Sequence, residues 1–386
     1  MMNKRFLLFC MVMISVMILV SGCWNYAELD RIAIVSGLAV DKNPKGDKFL
    51  LTAEIVDIQG SLTEEHVKAR RIQAEGDTIF DAVRNMILIS AKKLYWSHTK
   101  AIIVSQDVAK EGIRPVIDWV CRDIEPRADM GIFVSREKTA WELLEQQSIT
   151  TDIRAFEMEY MLIANTDLSK SVRIDIIELI DTIAGKGTSS YLPAIGVTLN
   201  DGRMTANLSG IAVLKKDKFI EFLSEQDAKF FLFVRNKIRG GLLIISPDEE
   251  QPKDRITLEI FKSKTKIQPV YSNGKLLMKI NINTEVGIAE EDAPINYMIE
   301  KNKNKLKKET EEYLNKNIEN IIKKVQENFD TDIFGFGRIV MEKMPSLWKN
   351  IDDEWDEVFK TLEVDINTEI DIRGSGLISK PIQVGD

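Results

Sequence analysis

The chain is poor in the residues that most often perform chemistry. Its 386 residues include 2 histidines and 3 cysteines. His66 and His98 stand far apart, with no thiol or second imidazole at helical or knuckle spacing, so no zinc-type site is expected. Cys121 has Arg122 beside it but no evident base, which is too little for a nucleophile. There is no Gly-x-Ser-x-Gly elbow, P-loop or dinucleotide-binding glycine turn, and Gly335-Phe336-Gly337 follows a helical stretch where a phosphate loop would follow a strand. Glu363, Asp365, Glu369 and Asp371 are strung along one strand instead of converging on a cation, and EF-hand spacing is absent. The catalytic case is weak, and no catalytic residue, metal site or cofactor is expected. Positive charge is also in deficit, with 52 Lys+Arg against 60 Asp+Glu. Such a surface does not invite nucleic acid or anionic lipid headgroups.

One long apolar run is present. Phe6–Val20 follows Lys4 and Arg5, interrupted only by Cys10 and Ser15, and leads through Ser21-Gly22 into Cys23. A basic start, an apolar core of about 7–15 residues and small residues before a cut describe an export signal. The run is short for a membrane span, which needs about 20 apolar residues, and no stop-transfer charges follow it. Leu19-Val20-Ser21-Gly22-Cys23 resembles the bacterial lipobox, in which a diacylglycerol is attached to the cysteine and the peptide is cut just before it. Residues 1–22 are thus read as a lipoprotein signal peptide and Cys23 as the lipid attachment site. Cleavage would remove Cys10, and acylation would occupy Cys23, leaving Cys121 alone and no intrachain disulfide. Acyl burial, about 0.8 kcal/mol per methylene, would then hold the protein to a membrane that its charge does not attract.

From Trp24 onward the pattern is α+β and multi-domain. Ile32–Val40 and Lys48–Ile58 read as a β-hairpin around Asp41–Gly46. Asp77 reads as the cap of a helix whose apolar positions are Ile79, Phe80, Val83, Met86 and Ile87. Leu94–Ser105 and Gly131–Ser135 are strand-like. Helices are expected over Asp107–Glu111, Arg114–Arg122, Thr139–Gln147, Asp152–Ala164 and Ser171–Ile183. This alternation predicts a mixed sheet covered by helices across residues 23–184. The stretch 185–198 is assigned as a linker region from the small, polar run Gly185–Ser190, although Leu192–Leu199 is itself strand-like.

Residues 199–386 read as a second α+β domain. Strands are expected at Leu208–Leu214, Phe219–Leu223, Arg255–Gln268, Lys275–Val286 and Thr361–Arg373, with a helix over Glu225–Asn236. The last strand alternates strictly, Leu362, Val364, Ile366, Ile370 and Ile372 against Glu363, Asp365, Asn367, Glu369 and Asp371, which predicts an antiparallel sheet with one wet face. A long helix spans Ile295–Phe329 with a broad apolar face from Met298 to Val325. Its Lys301–Lys308 run holds five lysines, but Glu309, Glu311 and Glu312 follow and mark a solvated face.

Several segments together resemble a known family. Gly22-Cys23-Trp24-Asn25-Tyr26-Ala27-Glu28-Leu29 with Ile32–Asp41 is similar to the mature start of the Ger(x)C lipoproteins, the C subunits of spore germinant receptors. Gly76–Asn85, Leu94–Lys100 with Ala109–Gly112, and Gln326-Glu327-Asn328-Phe329-Asp330-Thr331-Asp332-Ile333-Phe334-Gly335-Phe336-Gly337 look like further blocks of that family. Trp348 and Trp355–Phe359 then precede the final strand, as they do there. Asn25 stands where an acidic residue is more usual. The resemblance implies three α+β domains, and hence a further split that would create a small middle domain. It also implies a non-enzymatic, lipid-anchored protein on the outward face of the spore inner membrane. There it would act beside an integral A-type subunit and a transporter-like B-type subunit in the response to nutrients, with direct germinant binding by this subunit left open. Docking surfaces are sought on the solvent face of Asn296–Glu327 and in the aromatic stretch Phe334–Phe359, whose aromatics otherwise read as core. The rival reading is a solute-binding lipoprotein that delivers a small molecule to a membrane transporter. The long alternating strands and late helix do not suggest its two repeated lobes. An exported hydrolase would lack its nucleophile–base pair.

Overall fold

The computed structural model describes residues 31–61, 64–246, 255–291 and 295–374, with scattered positions between 4 and 15. Cys23 and the expected cleavage site lie outside the described residues. No helix among the described residues is long and apolar enough to cross a membrane.

The fold is α+β, built on two sheets. The first begins with β1 (Ile32–Lys42), β2 (Phe49–Ser61) and β3 (Glu64–Gly76), an antiparallel meander. β3 was not expected, because Lys68, Arg70, Arg71, Gln73 and Glu75 face solvent and leave little apolar pattern. Charge on an outer strand is what keeps a sheet edge from pairing with other chains. Arg70 meets Asp57 at 2.5 Å, and Arg71 Nε donates to the Leu144 carbonyl at 2.8 Å.

Leu94–Ser105 is not one strand but two. β4 (Lys93–Tyr95) lies parallel to the start of β1, with Ile32 opposite Lys93, whereas β5 (Ala101–Val104) pairs with its end, Val40 opposite Val104. β6 (Gly131–Ser135) and β7 (Tyr191–Asn200) extend the parallel run, and β8 (Arg203–Lys215) and β9 (Lys218–Leu223) close the sheet antiparallel. The strand order is β3-β2-β1-β5-β6-β7-β8-β9. The linker expected over 185–198 is therefore corrected in its second part. Only the stretch before Tyr191 is a connecting loop; β7 is an inner strand whose Tyr191, Leu192, Ala194 and Ile195 are buried.

Alternation in the parallel strands sorts two cores. Leu38, Val40, Ile102, Val104, Ile132 and Val134 face Val108, Val116 and Trp119. Ala39, Ala101, Ile103 and Phe133 face Leu143, Leu144, Ala155, Met158 and Leu162 on the other side. The helix Ile79–Asn85 is capped by Thr78 instead of Asp77: Thr78 Oγ1 accepts from the Asp81 amide at 3.1 Å, while the Asp77 amide donates to Asp81 at 3.0 Å.

Two acids from the β1–β2 hairpin tie helices to this sheet. Glu54, fully buried, accepts from the Arg154 and Ala155 amides at 3.0 and 2.9 Å, at the start of helix Arg154–Ala164, and from Ser36 Oγ at 2.7 Å. Asp41 accepts from the Ala140 and Trp141 amides at 2.6 and 3.1 Å, where helix Trp141–Glu145 begins. Burial pushes the Asp41 carboxyl up from 3.8 to about 6, against the pull of those amides and of Ser105. Between those values the native chain holds more proton than the unfolded one. The group's stabilising contribution is thus full below the unfolded value and is lost as pH rises through 6. The stability gap between wild type and Asp41→Asn is expected to be larger at pH 4 than at pH 7 by roughly 2 kcal/mol. Denaturant titrations at the two pH values test this, and parallel pH profiles would contradict it.

The second sheet has the order β10-β11-β12-β13, from β10 (Leu242–Ile245), β11 (Ile256–Ser272), β12 (Lys275–Glu291) and β13 (Glu363–Ile372). β11 and β12 form a long antiparallel hairpin turned by Asn273-Gly274, both at positive φ, as a two-residue hairpin turn requires. β13 departs from the expectation. It runs parallel to β12, Leu277 opposite Glu363 through Val286 opposite Ile372, because the long helix returns the chain to the end where β12 began. Its alternation is as read, with Ile370 and Ile372 buried and the acids exposed. The helix itself is Glu300–Asn328, so Met298 and Ile299 precede it. Leu306, Leu314, Ile318, Ile321, Ile322 and Val325 bury its inner face in the same hydrophobic cluster as Ile256, Ile280 and Ile370. That cluster continues without a break into the first sheet through Tyr191, Ile211 and Phe231.

Candidate functional site: a buried joint between the two sheets

Among the described residues no group of three or more His, Cys, Asp or Glu could hold a metal ion. Cys121 is free and exposed. His98 is exposed and rests its ring against Tyr95 at 5.8 Å. Three of the five lysines of Lys301–Lys308 reach acids one turn on, Lys305 to Glu309, Lys307 to Glu311 and Lys308 to Glu312, at 3.6–3.8 Å. These exposed i,i+4 pairs are worth a few tenths of a kcal/mol each.

The unusual chemistry lies where the Gly185–Ser190 loop meets the Asp330–Gly337 block. Asp332 is 2% exposed, and three donors converge on it. The Gly335 amide reaches Oδ1 at 2.8 Å; the Gly337 amide and Trp355 Nε1 reach Oδ2 at 2.8 and 3.2 Å. Gly335 stands at φ +76°, the left-handed region, which turns the two amides inward. Successive amides presented this way form an anion nest. The glycine turn rejected above as a phosphate loop does hold an anion, but that anion is the chain's own carboxylate. Burial pushes the Asp332 carboxyl up to about 6, opposed by the Gly337 and Gly335 amides, Trp355 and the Arg235 charge. Both oxygens are occupied from within, so the group fastens the turn and is not free to act on a substrate.

The loop before β7 locks onto this turn. The Ser189 amide donates to the Asp332 carbonyl at 2.7 Å, the Arg338 amide donates to the Gly187 carbonyl at 2.8 Å, and the Ser189 and Thr331 hydroxyls share a hydrogen bond. Arg235 Nη1 donates to the Phe334 carbonyl at 2.9 Å, and its other arm reaches Glu178 at 3.4 Å. Glu178 also receives Lys237 Nζ at 2.6 Å and Tyr191 OH at 3.1 Å. Ion pairs Arg338–Asp181 and Lys186–Asp352 rim the joint. Beneath it Phe334 stacks on Phe336 at 5.3 Å and 20°, Phe231 stands 5.8 Å from Phe334, and Trp348 and Trp355 meet at 5.4 Å. The aromatics of Phe334–Phe359 are thus core: Phe334, Phe336, Trp348, Trp355 and Phe359 are all buried. They are not a docking surface. The solvent face of the long helix stays exposed.

Reading the sequence for chemistry passed over Asp332, because one aspartate in a glycine–aromatic run does not name Trp355 as its partner. The one usable signal was the pair of glycines just after it.

The geometry defines a two-sheet α+β protein whose buried polar centre is structural. Two family models divide the chain between them: "Spore germination protein N-terminal domain" over residues 25–197 and "Spore germination B3/ GerAC like, C-terminal" over 209–376. The chain belongs to the Ger(x)C family of spore germination proteins. It is similar to spore germination protein KC of Bacillus subtilis (strain 168), at 25% identity over 99% of this chain and 98% of that protein. Spore germination protein B3 of the same strain is 24% identical over 96% of this chain and 98% of its own length. Among solved structures, the crystal structure of the GerBC protein matches with a TM-score of 0.56 and 21% identity, covering 87% of this chain and 97% of that one, and supports the fold.

Proposed function

We propose that this chain is the lipid-anchored, non-enzymatic C subunit of a spore nutrient germinant receptor. The observation that carries this reading is likeness to spore germination proteins from end to end. The lipobox at Leu19–Cys23 supplies the anchor, placing the protein on the outward face of the spore inner membrane. Its partners in that membrane are the integral A-type and B-type subunits. Confinement to the membrane plane raises its effective concentration beside them without any new contact. The proposed domains are residues 23–184 and 199–386; the first sheet itself runs on through β8 and β9 to Leu223, so its last strands come from beyond that division.

The test compares wild type with Cys23→Ala in a spore-forming host that carries no redundant receptor. The substitution is expected to abolish inner-membrane recovery of the protein and the nutrient response, while non-nutrient triggers still work. Untouched nutrient germination would overturn the reading and bring forward a solute-binding lipoprotein serving a transporter. A thermal-shift screen with nutrients separates that rival, since a ligand at 100 times its dissociation constant adds about 2.7 kcal/mol.

A further inference from the structure

The parallel strands β1, β4, β5 and β6 all start at one end of the first sheet, and that end is unusually bare. Leu88 is 85% exposed and Ile89 is 62% exposed, on the short helix Ile87–Ser90 just before β4. Ile124, 98% exposed, sits in the loop before β6. That loop is pinned beside β4, since Glu125 reaches Lys93 Nζ at 2.5 Å and the Trp96 amide at 3.3 Å. Ile32 at the start of β1 pairs with Lys93, so the segments that carry these three side chains adjoin the entry of β1. Scattered surface leucines are ordinary, whereas two nearly bare aliphatic side chains with a third beside one of them at one end call for an occupant.

We infer that this end rests on the lipid bilayer, with Leu88, Ile89 and Ile124 inserted among the headgroups. The inference rests on the anchor reading of Cys23. At 3.3–3.6 Å per residue, the stretch from Cys23 to Ile32 spans about 30 Å at most. β1 alone runs 11 residues, and at about 3.3 Å each it is roughly 36 Å long. The tether therefore cannot bring Cys23 past the opposite end of the sheet. The end it can reach without strain is the one that carries the bare side chains. Local charge is mixed, with Lys93 paired to Glu125 and Arg127 to Asp129, so the contact is apolar and not an attraction to anionic lipid. A lipid anchor on its own fixes distance from the membrane; a second, apolar contact also fixes orientation.

The test uses the full, lipidated chain with Cys121→Ser in phosphatidylglycerol–phosphatidylethanolamine vesicles. An environment-sensitive dye is placed at Leu88→Cys, Ile124→Cys or Lys45→Cys, the last in the β1–β2 turn at the far end of the same strand. Emission at 88 and 124 is expected to shift to the blue on vesicles and to be quenched by lipids with brominated acyl chains, while position 45 stays aqueous. Aqueous emission at 88 and 124 on protein that floats with vesicles overturns the docking and leaves the anchor standing. A blue shift that grows with protein concentration and ignores brominated lipid assigns the patch to a protein contact and also overturns it. Failure of the lipidated chain to float removes the anchor and this inference together.

Discussion

Asp332→Ala is expected to destabilise the folded chain by about 3–5 kcal/mol, because it leaves the Gly335 and Gly337 amides and Trp355 Nε1 without an acceptor in a buried site. Each orphaned donor keeps its full desolvation cost, and alanine also leaves a small void. Thermal unfolding should fall by on the order of 10 °C. Asp332→Asn keeps the shape but turns an NH2 toward at least one donor, so an intermediate loss is expected. A wild-type midpoint for the alanine variant would show that the carboxylate does not hold the turn. Because the Asp332 carbonyl also receives Ser189, the damage should not stay within residues 331–337. Hydrogen exchange should speed up in the Gly185–Ser190 loop as well, which a purely local defect would not produce.

The second large effect is expected at Gly187, from the opposite side of the same joint. It stands at φ +68°, and an added Cβ would lie 2.7 Å from the Gly337 carbonyl carbon, 2.7 Å from the Trp348 ring and 2.9 Å from the Arg338 nitrogen. Backbone does not yield as a flexible side chain does. Gly187→Ala should therefore cost about 2–4 kcal/mol, combining a left-handed conformation with overpacking. Gly202→Ala is the matched control, since Gly202 stands at φ +73° with nothing within 4 Å. It should lose only the conformational part, about 1–2 kcal/mol. Equal losses at the two glycines would mean that close approach at the joint contributes nothing.

These two residues also show what the sequence could and could not convey. Gly185–Ser190 is small and polar, the composition of a linker, and it does connect. The same small residues let two backbones touch, and composition does not separate slack from close packing. Alternation in Leu362–Ile372 told which side chains are buried but not the direction of the strand. Parallel and antiparallel strands share the period of two, so β13 was placed on the right face with the wrong polarity. β3 was invisible because an edge strand guarded by charge suppresses the pattern by which strands are recognised. The inner parallel strands were legible as apolar runs, and the long helix as a 3.6-residue stripe, because burial alone dictates both. Asp332 depends on a tryptophan distant in sequence and meets it only after folding. Its neighbours could be recognised as a familiar block, which gave the family without the reason for the residue.

The position of β1 has a mechanical consequence. The strand lies between β2 and β5, with β4 paired at its start, and on the proposed anchor at Cys23 the chain would enter it from the tethered end. A pull transmitted through residue 31 acts along the strand axis, so the cross-strand hydrogen bonds on both flanks are loaded in shear at once instead of opening one after another. An entry at β3 or β9, on the outer edges, would peel. On that proposed anchor, the domain would hang from the part of its sheet that resists force best.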